Sequence, residues 1–382
     1  MGETFTIGIV AGESSGDAHA GALARQFEAQ APGSRWFGAG GPALRSAGAE
    51  VLVSYERLAV VGIGEVLTHL PQLFRAMGQL KRALRERRPD ALVLVDFPDF
   101  NFRLAKYAHK LGIPVVYYIP PQVWAWRSGR TRFFEKYVDR AFVLFPFEKD
   151  FFEAHGVAAT FVGHPLVDTL KPDSSLEDFL SRHHLDPETP RLAFLPGSRT
   201  SEVKRHLSVM MEACREILET FPDTAVFVPW AHGLPQSLRE PFRDLPVRWV
   251  EGEYRDVLGH ADAAVVASGT ASLEGALMGV PEVVVYRLNR LTFKIVKRMV
   301  NVPHAAMPNV VLGRGAIPEL IQDDFTPASV AQTVSEMLKD RKESGSRARE
   351  LAGEIKKQLG EGNASARAAR ELVDFLKTVS RP

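Results

Sequence analysis

The stretch AAVVASGTASLE, residues 263–274, begins with five small or β-branched apolar residues and then turns through Ser-Gly-Thr into a helical pattern. A short apolar strand that passes into a helix through a glycine turn is typical of a parallel sheet covered by helices on both faces. In open sheets of this kind, ligands bind beyond the carboxyl ends of the strands. The stretch therefore predicts an α/β fold and indicates that the loops after its strands carry the chemistry.

Nine further apolar runs share this character, and helical patterns separate them. They lie at residues 5–10, 91–95, 114–119, 141–145, 160–162, 191–195, 224–228, 247–250 and 282–286. The runs form two series. Between them lies a charged stretch with several prolines, residues 171–190, which we interpret as the connection between two domains. We therefore predict two Rossmann-like, doubly wound domains, 1–170 and 188–345, with the helices of about 346–382 packing back on the first domain.

Composition limits the classes of protein to which the chain can belong. Lys and Arg number 47 against 46 Asp and Glu, which argues against a general nucleic-acid binder. The single cysteine, Cys214, excludes an internal disulfide and suits a reducing cytoplasm. The sequence has no Asp-x-Asp motif, no cluster of metal-ligating residues and no apolar run long enough to span a bilayer. We expect no metal and no cofactor, and only peripheral contact with a membrane.

Two loops of the second domain have the composition of anion sites. In SGTASLE, the backbone N–H groups at Ser268, Gly269 and Thr270 begin a helix, where the helix dipole favours a phosphate, and Glu274 is placed to accept hydrogen bonds from ribose hydroxyls. An ordinary helix N-cap needs the same residue types, so this loop alone decides nothing.

The second of these loops is LPGSR, residues 195–199. Gly197 and Ser198 offer N–H groups, and Arg199 offers a guanidinium suited to a diphosphate. Neither loop is a Walker motif. Together they favour a nucleotide diphosphate over a single phosphate.

The first domain carries the remaining candidate site residues. If the nucleotide diphosphate carries a sugar for transfer, we predict that the loop after the first strand approaches the acceptor or the transferred sugar, although a tight turn between strand and helix explains the loop equally well. Its residues are Gly12, Glu13, Ser14, Ser15, Gly16 and Asp17. Asp96 and Asp99 follow a later strand, where a carboxylate can serve as general base toward a hydroxyl, or merely cap a helix. His19 is a weaker catalytic candidate.

A helical stripe between the first two runs of the first series mixes apolar and basic residues. The apolar members are Leu67, Leu70, Phe74 and Met77, and the basic ones are Arg82, Arg85 and Arg88. Such a stripe is typical of a core-facing helix, but it also suits an interfacial helix beside anionic lipid.

Taken together, the loops resemble those of the lipid-A-disaccharide synthase family. The resemblance covers nearly the whole chain and depends on motifs whose order and spacing also fit. They are AGESSGD (11–17), DFPDFN (96–101), VWAWR (123–127), FPFE (145–148), FVGHPL (161–166), LPGSR (195–199), SGTASLE (268–274), VVVYR (283–287) and MPNVV (307–311). On this resemblance Asn309, within the last motif, counts among the donor-binding residues.

The resemblance implies a GT-B fold, in which two Rossmann-like domains face a central cleft, and an inverting sugar transfer. The donor would be UDP-2,3-diacylglucosamine, the acceptor 2,3-diacylglucosamine 1-phosphate (lipid X), and the product a β-1,6-linked lipid A disaccharide 1-phosphate. Asp99 matches the expected base and Arg199 the group that helps the departing diphosphate. The family also implies a place on the inner face of a Gram-negative inner membrane, and homodimers with exchanged C-terminal parts.

Three questions stay open at this point. Another GT-B enzyme, such as the peptidoglycan glucosaminyltransferase or a sugar-nucleotide epimerase, shares the fold, although the basic, apolar helix argues against it. A non-catalytic nucleotide-sugar binding protein is a further alternative. Finally, the sequence does not decide which of Asp96 and Asp99 takes the proton.

Overall fold

The chain forms two compact α/β units. The computed structural model describes residues 3–58, 66–126, 130–289, 292–293, 303–360 and 362–379. Unit 1 consists of Met1–Asp168 together with Leu359–Pro382, and unit 2 of Thr169–Gln358. The chain therefore passes from one unit to the other twice.

Unit 1 contains a seven-stranded, wholly parallel sheet of order β3-β2-β1-β4-β5-β6-β7. Its strands are β1 (Thr6–Ala11), β2 (Arg35–Gly40), β3 (Glu50–Ser54), β4 (Ala91–Val95), β5 (Val115–Tyr118), β6 (Arg140–Val143) and β7 (Ala159–Phe161). The helices that follow are α1 (Ser14–Glu28), α2 (Pro42–Ser46), α3 (Val66–Arg87), α4 (Pro98–Lys110), α5 (Val123–Trp126), α6 (Thr131–Tyr137), α7 (Pro146–Glu153) and α8 (Leu166–Thr169).

Unit 2 contains a six-stranded parallel sheet of order β10-β9-β8-β11-β12-β13. Its strands are β8 (Arg191–Leu195), β9 (Ala225–Pro229), β10 (Val247–Val250), β11 (Ala263–Ala267), β12 (Glu282–Tyr286) and β13 (Glu319–Ile321). Its helices are α9 (Leu176–Arg182), α10 (Thr200–Thr220), α11 (Tyr254–Gly259), α12 (Thr270–Met278), α13 (Met307–Leu312), α14 (Pro327–Lys339) and α15 (Arg341–Leu359). The last helix, α16 (Ala364–Val379), returns to unit 1.

The central strands are buried along their whole length because helices cover both faces of each sheet. In unit 2, side chains of α10 and α14 fill one face, while Phe179, Val257 and Leu258 fill the other. The predicted α/β class with two parallel sheets is confirmed.

Two details of the predicted division differ from the structure. The stretch at 171–190 is part of unit 2: α9 buries Phe179 in its core, and the carboxylate of Asp256 accepts hydrogen bonds from the N–H groups of Asp173 and Ser174. The predicted boundary near 346 cuts through α15, which belongs to unit 2 as far as Gln358. Helix α16 packs against α1.

Candidate active site

Two consecutive residues with left-handed backbone lie at the carboxyl end of β4. Asp96 and Phe97 both adopt left-handed conformations, with φ of 45° and 48°. For residues other than glycine this costs about 1–2 kcal/mol each, so the surrounding structure must hold the turn in place. One condition for the turn is that residue 12 is a glycine. A Cβ at Gly12 would lie 2.2 Å from Cγ of Phe97, so any side chain there would displace the Phe97 ring. The missing side chain of Gly12 therefore makes room for the Phe97 ring, whereas we predicted that this loop makes room for a sugar.

The turn places the Asp96 carboxyl in a half-buried position beside Glu13. Burial raises the pKa of Asp96, the neighbouring Glu13 carboxylate raises it further, and the N–H of Phe97 opposes both effects. A carboxyl with a raised pKa is closer to the range in which a general base works well.

Asp99 has a different environment, in the first turn of α4. Its side chain is 89% exposed, and its Oδ1 lies 3.2 Å from Nη2 of Arg130. The Arg130 guanidinium also lies over the Phe102 ring. The two carboxylates that the sequence left as alternatives are thus distinct, one half-buried and one exposed in an ion pair.

The loop after β1 divides into an exposed part and a structural part. Glu13, Ser14 and Ser15 are exposed, whereas Gly16 is buried, and a Cβ there would lie 3.6 Å from Cβ of Ala11.

Asp17 ends this loop and is only 3% exposed. Its carboxylate accepts hydrogen bonds from the N–H groups of Gly41 (2.6 Å), Ala43 (2.9 Å) and Leu44 (3.3 Å). Because these bonds occupy the carboxylate, the prediction that Asp17 contacts a sugar is wrong. Asp17 instead fixes the start of α2.

Two histidines of unit 1, His19 and His164, lie close enough to interact electrostatically. Burial, and to a lesser degree the charge of His19, lowers the pKa of His164 to about 4, and the N–H of Leu166 donates to its Nδ1. Burial also lowers the pKa of His19. Both rings are therefore neutral at pH 7, and His19 stays a candidate rather than an assigned catalytic group.

Sequence reasoning missed one buried carboxyl, that of Glu148 in the FPFE motif. It accepts hydrogen bonds from Nε1–H of Trp124 (2.8 Å) and from the N–H groups of Leu144 and Phe145 (3.1 Å each). Burial raises its pKa to about 7. The hydrogen bonds of Glu148 connect the VWAWR motif to the end of β6. In the sequence, this contact is indicated only by a glutamate at the third position of a helix that begins with proline.

In unit 2, the two predicted anion loops are neighbours because β8 and β11 pair directly, with Leu195 opposite Val266. Ser198 is exposed, and so is Arg199, whose side chain is 80% exposed and lies 3.2 Å from Glu202. Gly197 has φ of 113°, and a Cβ there would lie 2.8 Å from the Glu202 carboxylate.

The second loop opens α12 with its backbone accessible. Gly269 and Thr270 are exposed, and a Cβ at Gly269 would meet only open space. Ser268 is engaged by donating to the carbonyl of Ala305 (2.7 Å). Free N–H groups at the start of a nine-residue helix suit a phosphate.

Glu274, one turn into α12, is half-buried and accepts a hydrogen bond from the hydroxyl of Tyr254. Burial raises its pKa, against the effects of Tyr254 and Arg255. This bond uses Oε2, so Oε1 can still accept from a ribose hydroxyl.

Asn309 is not available to a nucleotide. Its side chain is fully buried, its Nδ2 donates to Ile317 O (2.8 Å) and to Glu319 (2.7 Å), and its Oδ1 accepts from the N–H groups of Ala316 and Ile317. The predicted donor contact is therefore wrong, because Asn309 closes the loop between α13 and β13.

His206 is a second residue that the sequence analysis missed. It is fully buried, with Nδ1 2.9 Å from the carbonyl of Pro196 and Nε2 accepting from the N–H of Arg287 (3.2 Å). Burial lowers its pKa. A neutral His206 thus fastens the LPGSR loop to the end of β12.

The basic, apolar helix proves to be α3, and its side chains separate into two groups. Phe74 is 64% exposed, whereas Met77 is 9% exposed and packs in the core, so the prediction of a membrane contact at Met77 is wrong. The side chains of Leu67 and Leu70 lie outside the described residues. The basic residues Arg82 and Arg85 of α3 are exposed, and so is Arg88, which directly follows the helix and donates to the carbonyl of Leu111.

Within the described ranges, no helix is long and apolar enough to cross a membrane. The same residues contain no group of three or more His, Cys, Asp or Glu side chains arranged to hold a metal ion.

Comparison with solved structures shows the fold. A putative UDP-N-acetylglucosamine 2-epimerase from Listeria monocytogenes superimposes with a TM-score of 0.68 at 14% identity, covering 100% of this chain and 99% of that one. The calicheamicin glycosyltransferase CalG4 does so with a TM-score of 0.60 at 20% identity, covering 99% and 100%. The predicted GT-B architecture is confirmed at the level of fold.

Sequence comparison is more specific. The lipid-A-disaccharide synthetase family profile matches residues 7–372. Lipid-A-disaccharide synthase of Anaeromyxobacter dehalogenans is 42% identical over 380 residues, 98% of each chain, and that of Geobacter sulfurreducens is 40% identical over 371 residues, 96% of each chain. The resemblance drawn from the motifs is confirmed, and the chain belongs to the lipid-A-disaccharide synthetase family of glycosyltransferases.

Proposed function

We propose that this protein joins two acylated glucosamines. It transfers 2,3-diacylglucosamine from its UDP donor to the 6-hydroxyl of 2,3-diacylglucosamine 1-phosphate and releases UDP. The family match over residues 7–372 supports the reaction. The observation that carries the mechanism is the half-buried Asp96 carboxyl at the end of β4.

Asp96 is the general base in this proposal. It accepts the proton of the acceptor hydroxyl as that oxygen attacks the anomeric carbon. The bond from this carbon to the diphosphate oxygen breaks, and its electron pair leaves with UDP. One such displacement inverts the anomeric configuration. Burial raises the pKa of Asp96 toward the operating range, whereas Asp99 lies in solvent beside Arg130.

The departing diphosphate is held by unit 2. The start of α12 offers N–H groups at Gly269 and Thr270, and Arg199 offers a guanidinium. The Arg199 side chain is 80% exposed, so its ion pair with Glu202 contributes at most about 1 kcal/mol, and a diphosphate competes for the guanidinium at little cost.

The base is tested with a matched pair of variants, Asp96→Asn and Asp99→Asn. We expect Asp96→Asn to lose turnover by a factor of about 10²–10⁴ while UDP binding persists, and Asp99→Asn to lose much less. UDP release and calorimetric UDP binding are measured for both. Full turnover by Asp96→Asn would remove the proposed base, and the opposite ranking would assign the role to Asp99.

The substrates also locate the enzyme at a membrane surface. Their acyl chains leave a bilayer only at about 0.8 kcal/mol per CH₂, so the protein must come to them, as a peripheral protein on the inner face of the inner membrane. Phe74, exposed on α3, would enter the interface, and Arg82, Arg85 and Arg88 would face anionic headgroups at roughly 1 kcal/mol each.

Docking is tested with Phe74→Ser and a control, Leu176→Ser, which changes an exposed apolar residue of unit 2. We expect Phe74→Ser to weaken co-sedimentation with phosphatidylglycerol vesicles by about tenfold, and the control to leave it unchanged. Equal binding of both variants would exclude α3 as the docking helix.

Exchange of C-terminal parts between two copies stays a proposal. In this chain α16 packs against α1, and the carboxylate of Asp168 accepts hydrogen bonds from the N–H groups of Asn363 and Ala364 at the start of the helix. An exchanged dimer would make the same contacts between copies. Sedimentation velocity at micromolar concentration separates a dimer from a monomer.

A further inference from the structure

The backbone N–H and the carbonyl of Asp96 both form hydrogen bonds with residues of the neighbouring strand, β5. Its N–H donates to the carbonyl of Tyr118 (3.3 Å), which continues the ladder between β4 and β5. Its carbonyl accepts from the hydroxyl of Tyr117 (2.7 Å) and from Nδ2 of Asn101 (2.7 Å). One carbonyl oxygen therefore takes two side-chain donors at the residue where the chain enters its left-handed turn.

Both donors are fully buried, so these bonds are not exchanged with water. Tyr117 reaches the turn from β5, and Asn101 from the second turn of α4. The carbonyl of Asp96 and the N–H of Phe97 belong to one planar peptide unit, so the bonds at the carbonyl also hold the direction of that N–H. The N–H of Phe97 in turn bonds to the Asp96 carboxyl, which links the held carbonyl to the carboxyl.

We propose that Tyr117 is a positioning residue for the transfer reaction, holding the carbonyl of Asp96 so that the left-handed turn presents the Asp96 carboxyl to the acceptor hydroxyl. Asn101 is the second member of this carbonyl clamp. The inference rests on the proposed function, in which Asp96 is the base. Neither residue touches the reacting atoms.

The chain supplies a matched control on the same strand. Tyr117 and Tyr118 are adjacent, and both are fully buried. Successive side chains of a strand point to opposite faces of the sheet, and Tyr118 accordingly directs its hydroxyl toward Ser365 of α16, away from the Asp96 turn. Tyr117→Phe and Tyr118→Phe each remove one buried hydroxyl from β5, but only the first opens the clamp.

We expect Tyr117→Phe to lower kcat by about three- to tenfold, the range that corresponds to one hydrogen bond, with KM for both substrates unchanged. The acid limb of the kcat profile should also move to lower pH, because a relaxed turn exposes the Asp96 carboxyl and its pKa falls back toward the ordinary range. Tyr118→Phe should keep the wild-type profile and turn over within twofold of wild type.

Asn101→Leu, which removes the other donor at similar volume, is measured in parallel and should lower kcat and shift the profile in the same direction. Melting temperatures identify any variant that has lost its fold. If folded Tyr117→Phe or folded Asn101→Leu has the kcat and pH profile of Tyr118→Phe, the clamp is purely structural and the proposal is overturned. Asp96→Asn separates the two levels: wild-type turnover there refutes the base itself, whereas an inactive Asp96→Asn beside a normal Tyr117→Phe refutes only the positioning role.

Discussion

Replacing Glu148 by glutamine should flatten the dependence of stability on pH. The buried carboxyl has a pKa of about 7 in the folded protein, against an ordinary value of 4.5. Because the folded-state pKa is raised, the stabilising contribution of the protonated form is fully present below about pH 4.5 and is lost as the pH rises to about 7. This difference corresponds to at most about 3 kcal/mol.

Glutamine does not titrate, so the variant lacks this loss. Its amide can still accept from Trp124, but its NH₂ group would face the N–H groups of Leu144 and Phe145, which should cost roughly 1–3 kcal/mol at every pH. Urea unfolding followed by far-UV circular dichroism from pH 5 to 8 measures both effects. We expect a lower midpoint throughout and a smaller fall with pH than in the wild type. Parallel curves for the two proteins would refute the raised pKa and the reasoning from burial.

Three further predictions follow from burial and charge. Met77→Ala should lower the free energy of unfolding by about 2–5 kcal/mol, and Phe74→Ala by less than about 0.5 kcal/mol, as measured by urea denaturation; equal values would mean that the two sides of α3 are misassigned. Arg199→Ala and Glu274→Ala should each weaken UDP binding by roughly tenfold or more in calorimetry, through the diphosphate and the ribose, and unchanged affinity in both would remove unit 2 as the donor site. Glu282→Gln should raise the melting temperature at pH 8 but not at pH 5. Burial raises the pKa of the Glu282 carboxyl, whose oxygens have no hydrogen-bond partner among the described residues, so its ionised form destabilises the fold. Equal shifts of the melting temperature at both pH values would contradict the raised pKa.

The sequence was most informative where strands are wholly apolar. Central strands such as β4, β8 and β11 read as continuous apolar runs because helices cover both sides of them. Strands β2, β3 and β13 were missed. The first contains two glycines, the second has only one buried residue, and the third has only three residues, all half-buried. A short or half-exposed strand lacks the apolar run on which the prediction depends.

The site was predictable as a set of loops, since loops after parallel strands converge at one edge of a sheet. The function of single residues within those loops was not. Asp17 and Asn309 have polar side chains at promising positions, yet both are buried and accept hydrogen bonds from backbone N–H groups elsewhere in the chain. Met77 lies on the predicted stripe, but the rotation of α3 directs it into the core. Such outcomes depend on tertiary contacts that no local pattern contains.

The choice between Asp96 and Asp99 has the same physical origin. Only two residues separate them in the sequence, and both are aspartates that follow the same strand. The left-handed turn at Asp96 and Phe97 separates their environments, burying one carboxyl partly and leaving the other in solvent. That turn depends on Gly12, in a loop more than eighty residues earlier in the chain.

The most direct test is to incubate the purified protein with UDP-2,3-diacylglucosamine and 2,3-diacylglucosamine 1-phosphate on phosphatidylglycerol vesicles in the presence of EDTA. Mass spectrometry follows the glycolipids, and NMR of the product determines its anomeric configuration. We predict a disaccharide 1-phosphate with a β-1,6 linkage, formed in equal amount to the UDP released and undiminished by the chelator. A folded protein that forms no disaccharide, or that instead hydrolyses or epimerises the donor sugar, would contradict the proposed transfer.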